Sequence, residues 1–296
     1  MSMDEEFIKA YDLWSNFKEE VLYKNRFFIK HDVLDYIQHF AEKSQTIIEK
    51  NTILYRARLF TENDFFIHLL ETHSEIEGLN QEERLKRAYY GIARKKDSGF
   101  WGYDEENSFL PINNDIVNDG RANPAFIKYL YTAEEPYTAI VEVRPYLESK
   151  VSVAEILVNE QLVMANFSFE SIRKLEGFER KLMMVIMEDF SKPSDSNKKS
   201  YIPTQYISEY IKQLGLDGIR FNSSLHGRGR NITIFNFEKC QPIGSKLYEI
   251  ADICFEAKGI APKNEKELLH WKLEPYKEKQ LDELIKHLVE NRKQSG

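Results

Sequence analysis

Apolar residues recur at helical spacing through the first fifty positions of the chain. They lie three or four residues apart, which places them on one face of a helix and leaves the charged residues on the other. The recurring positions are Phe7, Tyr11, Leu13, Trp14, Phe17, Val21 and Leu22, followed by Val33, Ile37, Phe40 and Ala41. This pattern predicts an N-terminal helical region that packs against the rest of the fold or against a partner.

Short strand-like runs begin after this region. In the first run, which opens at Ile53, Arg56 and Arg58 recur at a period of two. A strand there would send both guanidinium groups to one face. Further strands are predicted over residues 127–132, 151–158, 162–167, 218–222 and 231–237.

Two short helices are predicted between these strands. The first runs from about Pro136 to Val143, because Pro145 cannot continue a helix. The second follows Thr204, a residue that can cap a helix N-terminus, and ends at Gly215.

The remaining segments suggest three regions. Residues 61–98 are charged and mostly helical in pattern, residues 99–125 are an irregular loop rich in Gly, Pro and Asn, and the tail ends in an amphipathic helix. Because the strands do not alternate with helices in βαβ units, the pattern predicts an α+β fold. The predicted organisation is a helical region over 1–50, a catalytic domain over 51–240 and a C-terminal extension over 241–296 that ends in a helix.

Composition narrows the classes of protein that fit. With 42% hydrophobic residues in 296, the chain can bury a core, and its two cysteines are too few for a disulfide framework. The net charge of −7 disfavours binding to nucleic acid through a general basic surface. We find no secretory signal pattern and no apolar run long enough to span a membrane, so we expect no membrane partner and a cytoplasmic location. A homo-oligomer stays open.

Several common catalytic motifs are missing from the sequence. It contains no H-E-x-x-H zinc motif, no G-x-S-x-G nucleophile elbow, no Walker lysine, and no G-x-G-x-x-G after a strand. We therefore expect neither a metal nor a resident cofactor.

Two charged residues lie inside apolar runs, where a lone charge is costly. Arg56 interrupts a predicted strand, and Glu142 lies within Ala139-Ile140-Val141-Glu142-Val143. Each needs a partner of opposite charge or a position facing a cleft. An internal ion pair and a ligand-binding role both account for this pattern.

Polar residues in two turns are further candidates. Gly120-Arg121-Ala122-Asn123 is a turn of small residues that can approach a ligand closely, although turn formation alone also explains it. Ser223 and Ser224 end a strand, and Arg228 and Arg230 follow across a glycine-rich turn. This second group resembles a phosphate or ribose cradle, and exposed hairpins often have the same composition.

Taken together and in order, these segments resemble the RES-domain family. The motifs are Tyr55-Arg56, Gly120-Arg121-Ala122-Asn123, Tyr129-Leu130-Tyr131-Thr132-Ala133, Ala139-Ile140-Val141-Glu142, and Gly218-Ile219-Arg220-Phe221-Asn222-Ser223 with Asn231. The resemblance implies an ADP-ribosyltransferase-like core of short strands in a split, mostly antiparallel sheet, here with added helices at both ends. It also implies an NAD-degrading toxin of a toxin–antitoxin pair with an Xre-type antitoxin as partner, for which NAD is the substrate and not a cofactor.

The resemblance also assigns roles to residues. Arg56, Glu142 and Ser223 correspond to the family's catalytic arginine, glutamate and serine, and Ser224 is the adjacent alternative to Ser223. Substrate contacts are expected from Tyr55, Arg121, Tyr131 and Asn231, with the Tyr131 ring stacking on nicotinamide. In this interpretation Arg56 pairs with the pyrophosphate and Glu142 holds a ribose hydroxyl.

Alternative functions stay open at this point. The same fold could transfer ADP-ribose to a macromolecule, and the bond-cleaving enzyme could use water or phosphate as acceptor. A non-catalytic interaction module would follow if Arg56 and Glu142 bond each other in a closed core. Nucleic-acid binding through Arg228 and Arg230 has little support from the net charge.

Overall fold

The computed structural model describes residues 5–61, 99–111, 113–191 and 198–254, together with Asn80, Glu82, Glu83 and Lys86. The chain divides into two compact units, residues 1–252 and 253–296, and the described residues belong almost entirely to the first. The helices predicted near 61–98 and at the C-terminus lie outside the described residues. Within the described part of the chain, no helix is long and apolar enough to cross a membrane.

Eight strands form one mixed sheet. Their order across the sheet is β1-β5-β6-β7-β3-β2-β4-β8, and every neighbouring pair is antiparallel except β5 and β6. This arrangement confirms the predicted α+β class with a mostly antiparallel sheet. The strands are β1 (Gln45–Ile48), β2 (Ile53–Phe60), β3 (Leu130–Ala133), β4 (Lys150–Val158), β5 (Leu162–Phe167), β6 (Gly218–Asn222), β7 (Arg230–Ile234) and β8 (Cys240–Glu249).

Helices cover the sheet and supply the main core. In the described residues they are α1 (Glu5–Glu19), continued by a π-helical turn, then α2 (Asp32–Lys43), α3 (Glu105–Phe109), α4 (Pro136–Glu142), α5 (Phe169–Ile172), α6 (Gly177–Ser191) and α7 (Ile202–Gln213). Trp14 and Phe17 of α1 and Phe40 of α2 are fully buried in one cluster with Phe167 and Phe190. Trp14 Nε1 also donates a hydrogen bond of 2.6 Å to Asp189 of α6. The N-terminal helices therefore share a core with the sheet and α6.

The sheet is nearly divided in two between β2 and β3. These strands pair at one position, Tyr55 opposite Ala133, whereas β2 pairs with β4 along its whole length. Strands that diverge after a single pair leave a crevice between them. This crevice is where the residues singled out in the sequence come together.

The helix ends predicted from a proline or a glycine lie at or close to the predicted positions. Helix α4 begins at Pro136 and ends at Glu142, one residue before the predicted end, and α7 is followed by Gly215 with a φ of +85°. The predicted cap at Thr204 is wrong, because α7 begins earlier, at Ile202, with no side-chain cap. The Thr204 hydroxyl instead donates to the carbonyls of Arg121 and Tyr201.

Two strands of the sheet come from outside the predicted catalytic domain. β1 (Gln45–Ile48) lies inside the stretch predicted as helical and pairs with β5 at the edge of the sheet. β8 (Cys240–Glu249) starts at the predicted end of the catalytic domain and pairs with β4 at the opposite edge. Neither strand has the alternating apolar pattern of a half-buried strand, so neither is recognisable from its own sequence.

Candidate functional site

A cavity of about 750 Å³ opens at the split in the sheet. Its walls come from both sides of the split, from the end of α4 and from the loop before β3. The lining residues are Tyr55, Arg56, Ala57, Asn118, Asp119, Gly120, Arg121, Tyr131, Thr132, Ala133, Ala139, Glu142, Val143, Tyr201, Phe221 and Asn231. Six of the seven predicted site residues therefore line one cavity, and the seventh, Ser223, reaches it through a hydrogen bond.

Glu142 is held by two hydrogen bonds to the same carboxylate oxygen. It is the last residue of α4, and its Oε1 accepts from Ser223 Oγ at 2.6 Å and from Asn231 Nδ2 at 2.6 Å. Both donors are nearly buried, with 7% exposure for Ser223 and 9% for Asn231. Oε2 makes no hydrogen bond within the described residues, so this oxygen is available to a ligand in the cavity.

Ser223 is fixed by the turn that it begins. Its hydroxyl accepts hydrogen bonds from the backbone N–H groups of Leu225 and His226, at 3.1 and 3.0 Å, while it donates to Glu142. This serine turn aims the hydroxyl proton at the carboxylate. Ser224 is exposed, so the geometry favours Ser223 over its neighbour.

Arg56 reaches the cavity with an unsatisfied guanidinium. Its Nε is buried and has no hydrogen-bond partner among the described residues, and Nη1 makes one long bond of 3.4 Å to the Tyr131 carbonyl. Burial, with repulsion from Arg58, lowers the pKa of Arg56 to about 10. The side chain therefore stays charged near neutral pH, and it does not bond Glu142. A half-buried guanidinium whose buried Nε lacks a partner is ready to receive an anion.

The cavity lining does not include Arg58 or the two arginines of the 223–229 segment and its end, Arg228 and Arg230. Arg58 donates to the Asn107 carbonyl at 2.5 Å and lies over the Tyr103 ring. Arg230 pairs with Glu170, and Arg228 is exposed. The phosphate cradle suggested for Arg228 and Arg230 is absent from the cavity lining, because the ion pair with Glu170 holds Arg230 elsewhere.

Arg121 lines the cavity but is tied to a helix end. Its Nη1 donates at 2.6 Å to the carbonyl of Phe190, near the C-terminus of α6. Burial lowers the pKa of Arg121, and attraction from Glu142 opposes this shift. A cation near the last carbonyls of a helix is favourable. The Arg121 guanidinium therefore has a short hydrogen bond within the fold, whereas Arg56 has only the long bond to Tyr131.

Tyr131 uses its hydroxyl to hold the Arg121 turn. The hydroxyl donates to Asn123 Oδ1 at 2.7 Å and accepts from the Ala122 N–H at 3.1 Å. Burial raises the pKa of Tyr131 to about 12, so the phenol stays neutral. Gly120 allows this close packing, because an added Cβ would lie 2.5 Å from Asn123 Oδ1 and 2.7 Å from Tyr131 Oη. The Tyr131 side chain still lines the cavity, as does that of Tyr55 on β2.

Ten of the sixteen lining residues were not predicted as site residues, among them Asn118, Asp119, Tyr201 and Phe221. Asn118 and Asp119 lie in the irregular loop over residues 99–125, next to the Gly120-Arg121 turn, so their polarity was a usable signal. Tyr201 follows a polar loop, and Phe221 matches the apolar pattern of a buried strand. Neither of these two carries a local sign of a site.

The cavity combines two kinds of recognition. A carboxylate with one oxygen available can accept a hydrogen bond from a hydroxyl or stabilise a developing positive charge, and a guanidinium can bind a phosphate. Within the described residues, no three His, Cys, Asp or Glu side chains are grouped as metal ligands. The arrangement fits a ligand that carries both hydroxyl groups and an anionic group.

Comparison with known proteins gives one family. Residues 89–248, more than half of the chain, match the family model described as RES domain. No curated protein matches the chain. Among solved structures, the chain is similar to one in the crystal structure of the M. tuberculosis MbcT-MbcA toxin-antitoxin complex, with 13% identity, coverage of 73% of this chain and 92% of that chain, and a TM-score of 0.35. Tyr55 and Arg56 precede the family match but line the same cavity as the residues within it.

Proposed function

Because the chain belongs to the RES-domain family, we propose that it is an enzyme that cleaves the bond between nicotinamide and ribose in NAD. One observation carries this proposal. Glu142 is held through one oxygen by Ser223 and Asn231, and it shares a cavity with Arg56, whose buried Nε has no partner. NAD supplies ribose hydroxyl groups for the carboxylate and a pyrophosphate for the guanidinium.

The chemistry of the bond explains why one carboxylate is sufficient. The nicotinamide nitrogen is already positively charged, so when the C1′–N bond breaks, its electron pair neutralises the ring and the leaving group needs no proton. The ribose carbon acquires the character of an oxocarbenium ion, as in glycoside hydrolysis. Water or phosphate then bonds to that carbon and loses a proton to solvent, giving ADP-ribose or its 1″-phosphate.

Glu142 would act at the centre where charge develops. Its Oε2 accepts a hydrogen bond from a ribose hydroxyl, and the negative charge stabilises the cationic ribose in the transition state. The hydrogen bonds from Ser223 and Asn231 fix the carboxylate before substrate arrives, so little reorganisation is needed. Arg56 binds the pyrophosphate and contributes to substrate binding.

Release of free nicotinamide from NAD by the purified chain tests the proposal. We expect Glu142→Gln to lower kcat by on the order of 10²–10⁴-fold, the range typical of a group acting in the transition state. Glu170→Gln is the matched control, because Glu170 pairs with Arg230 outside the cavity lining. Equal activity of Glu142→Gln and the parent would overturn the proposal. Label from adenine-labelled NAD on protein or nucleic acid would instead identify ADP-ribosyl transfer.

The same proposal includes a role as a growth-arresting toxin with an Xre-type antitoxin as its partner. Induction of the parent should deplete cellular NAD and stop growth, whereas induction of Glu142→Gln should do neither. Co-expression of the antitoxin should restore both. An unchanged NAD level during growth arrest by the parent would contradict NAD as the target.

A further inference from the structure

The turn between β6 and β7, residues 223–229, contacts α4 at two points one helical turn apart. Ser223 bonds Glu142, and His226 Nδ1 lies 2.8 Å from Oγ1 of Thr138. Thr138 and Glu142 are four residues apart, so they share one face of α4. Both contacts therefore fix the same face of the helix that carries the carboxylate.

The 223–229 turn is closed by its own hydrogen bonds. The N–H of His226 donates to Ser223 Oγ, and the N–H of Gly229 donates to the His226 carbonyl at 2.8 Å. His226 and Ser223 are thus connected within a single turn, and a displacement of one moves the other.

Gly229 allows the close approach of this turn to α4. A Cβ at Gly229 would lie 2.4 Å from Thr138 Oγ1 and 2.7 Å from His226 Nδ1. The His226 ring also packs edge-on against the Tyr137 ring, with centroids 5.0 Å apart. The contact between His226 and Thr138 is therefore enclosed on several sides.

The hydroxyl of Thr138 depends on this contact. Thr138 is fully buried, and a buried hydroxyl without a partner is costly. Helix α4 has no side-chain cap at its N-terminus, and Glu142 lies in its last turn, where helices fray. A bond at Thr138 opposes sliding or rotation of the helix and so fixes the height at which Glu142 enters the cavity.

We infer that His226 is a positioning residue, which sets Glu142 through Thr138 and not by contact with substrate. This inference rests on the proposed function. Because substrate binding through Arg56 does not involve this contact, loss of the bond lowers kcat and leaves KM for NAD nearly unchanged. A displacement of about 1 Å at a reacting group costs on the order of 10²-fold, so a partial displacement costs about 10-fold.

Steady-state nicotinamide release by the full chain tests the inference. Thr138→Val keeps the shape of the side chain and removes the hydroxyl, and His226→Ala removes the ring. Each should lower kcat by about 10-fold with KM within about twofold of the parent, and the double variant should be no slower than either single variant, because both remove one bond. Thr138→Ser keeps the hydroxyl and should retain the parent kcat.

Thr233→Val is the matched control. Thr233 is also fully buried, on β7, but its hydroxyl has no hydrogen-bond partner, so its removal should leave kcat unchanged. Melting curves check that each variant is folded. If Thr138→Val fails to fold, two variants of the half-buried His226 test the inference instead. His226→Ala should lower kcat. His226→Asn keeps a polar atom near the position of Nδ1 and should recover most of the lost kcat.

Three results overturn the inference while the proposed function stands. They are parent-like kcat in His226→Ala, losses that multiply in the double variant, and a rise in KM with kcat unchanged. A parent that releases no nicotinamide overturns the proposed function, and the positioning role falls with it.

Discussion

The two ends of the cavity differ in how their charges are satisfied. At the carboxylate end, Glu142 has hydrogen bonds from Ser223 and Asn231 without any ligand. At the guanidinium end, the buried Nε of Arg56 has no partner. The first end is assembled by folding, and the second keeps a donor without a partner among the described residues, which the proposed pyrophosphate would bind.

This difference separates stability from function. Hydrogen bonds to a charged group each stabilise a protein by about 1.5–3 kcal/mol, whereas a buried donor without a partner costs about 1–3 kcal/mol. The carboxylate end should therefore contribute to the free energy of unfolding, and the guanidinium end should reduce it. Substitutions at the two ends should lower activity alike and change stability in opposite directions.

After Glu142→Gln, the largest loss of activity is expected from Asn231→Ala at the carboxylate end. Glu142 keeps only the Ser223 bond, so its Oε2 loses its fixed position and kcat should fall by about 100-fold. The free energy of unfolding should fall by about 1–3 kcal/mol, because a bond to a charged group is lost. Urea denaturation and nicotinamide release measure the two quantities.

Asn236→Ala is the matched control for that substitution. Asn236 Nδ2 donates at 2.6 Å to Asp217, another buried carboxylate, but one outside the cavity lining. The control should lose similar stability and keep its kcat. Equal loss of kcat in both variants would show that general destabilisation, and not the position of Glu142, governs activity.

The next effect is expected from Arg56→Met at the guanidinium end. Loss of charged hydrogen bonds to the pyrophosphate, about 1.5–3 kcal/mol, should lower kcat/KM by roughly 10–100-fold. The free energy of unfolding should rise by about 1 kcal/mol, because a half-buried guanidinium with an unsatisfied Nε is replaced by an apolar side chain of similar length.

Arg58→Met, on the same strand, tests whether the expected rise in the free energy of unfolding is specific to Arg56. Arg58 has the Asn107 carbonyl and the Tyr103 ring as partners, so its removal should slightly lower stability and leave kcat/KM unchanged. If Arg56→Met were as destabilising as Asn231→Ala, the two ends would not differ, and the comparison would be wrong.

The sequence identifies the charged residue at each end of the cavity, but not every strand of the sheet. Arg56 and Glu142 stand out because each places a charge inside an apolar run, and the ends of α4 follow from Pro136 and a nearby proline. These are local signals. β1 and β8 were not predicted, because their own sequences lack a strong alternating pattern and they form through pairing with distant residues.

Partners that are distant in sequence also explain what was missed within the site. Arg121 was expected to contact substrate, and no local pattern indicates that Phe190, 69 residues away, accepts its hydrogen bond. The same holds for Tyr131, whose ring was predicted to stack on nicotinamide but whose hydroxyl also holds the Arg121 turn. The sequence identified residues that line the cavity more readily than it indicated which of their side chains also form hydrogen bonds within the fold.

The smallest effect is expected from Gly120→Ala, at the turn between the two ends. The new methyl group would lie within 3 Å of Asn123 Oδ1 and Tyr131 Oη, so the hydrogen bond between them must lengthen and the turn must shift. Arg121 and the Tyr131 ring would then move in the cavity wall, whereas Glu142 keeps its bonds to Ser223 and Asn231. We expect a loss in kcat/KM of several-fold, below about 10-fold, mostly through KM. Gly102→Ala is the control. Its methyl group would lie 2.1 Å from Ser152 Oγ, and neither residue lines the cavity. The control should therefore lose stability and keep its kcat/KM. A loss for Gly120→Ala as large as that for Asn231→Ala would mean that the turn, and not the two charged ends, sets the geometry of the site.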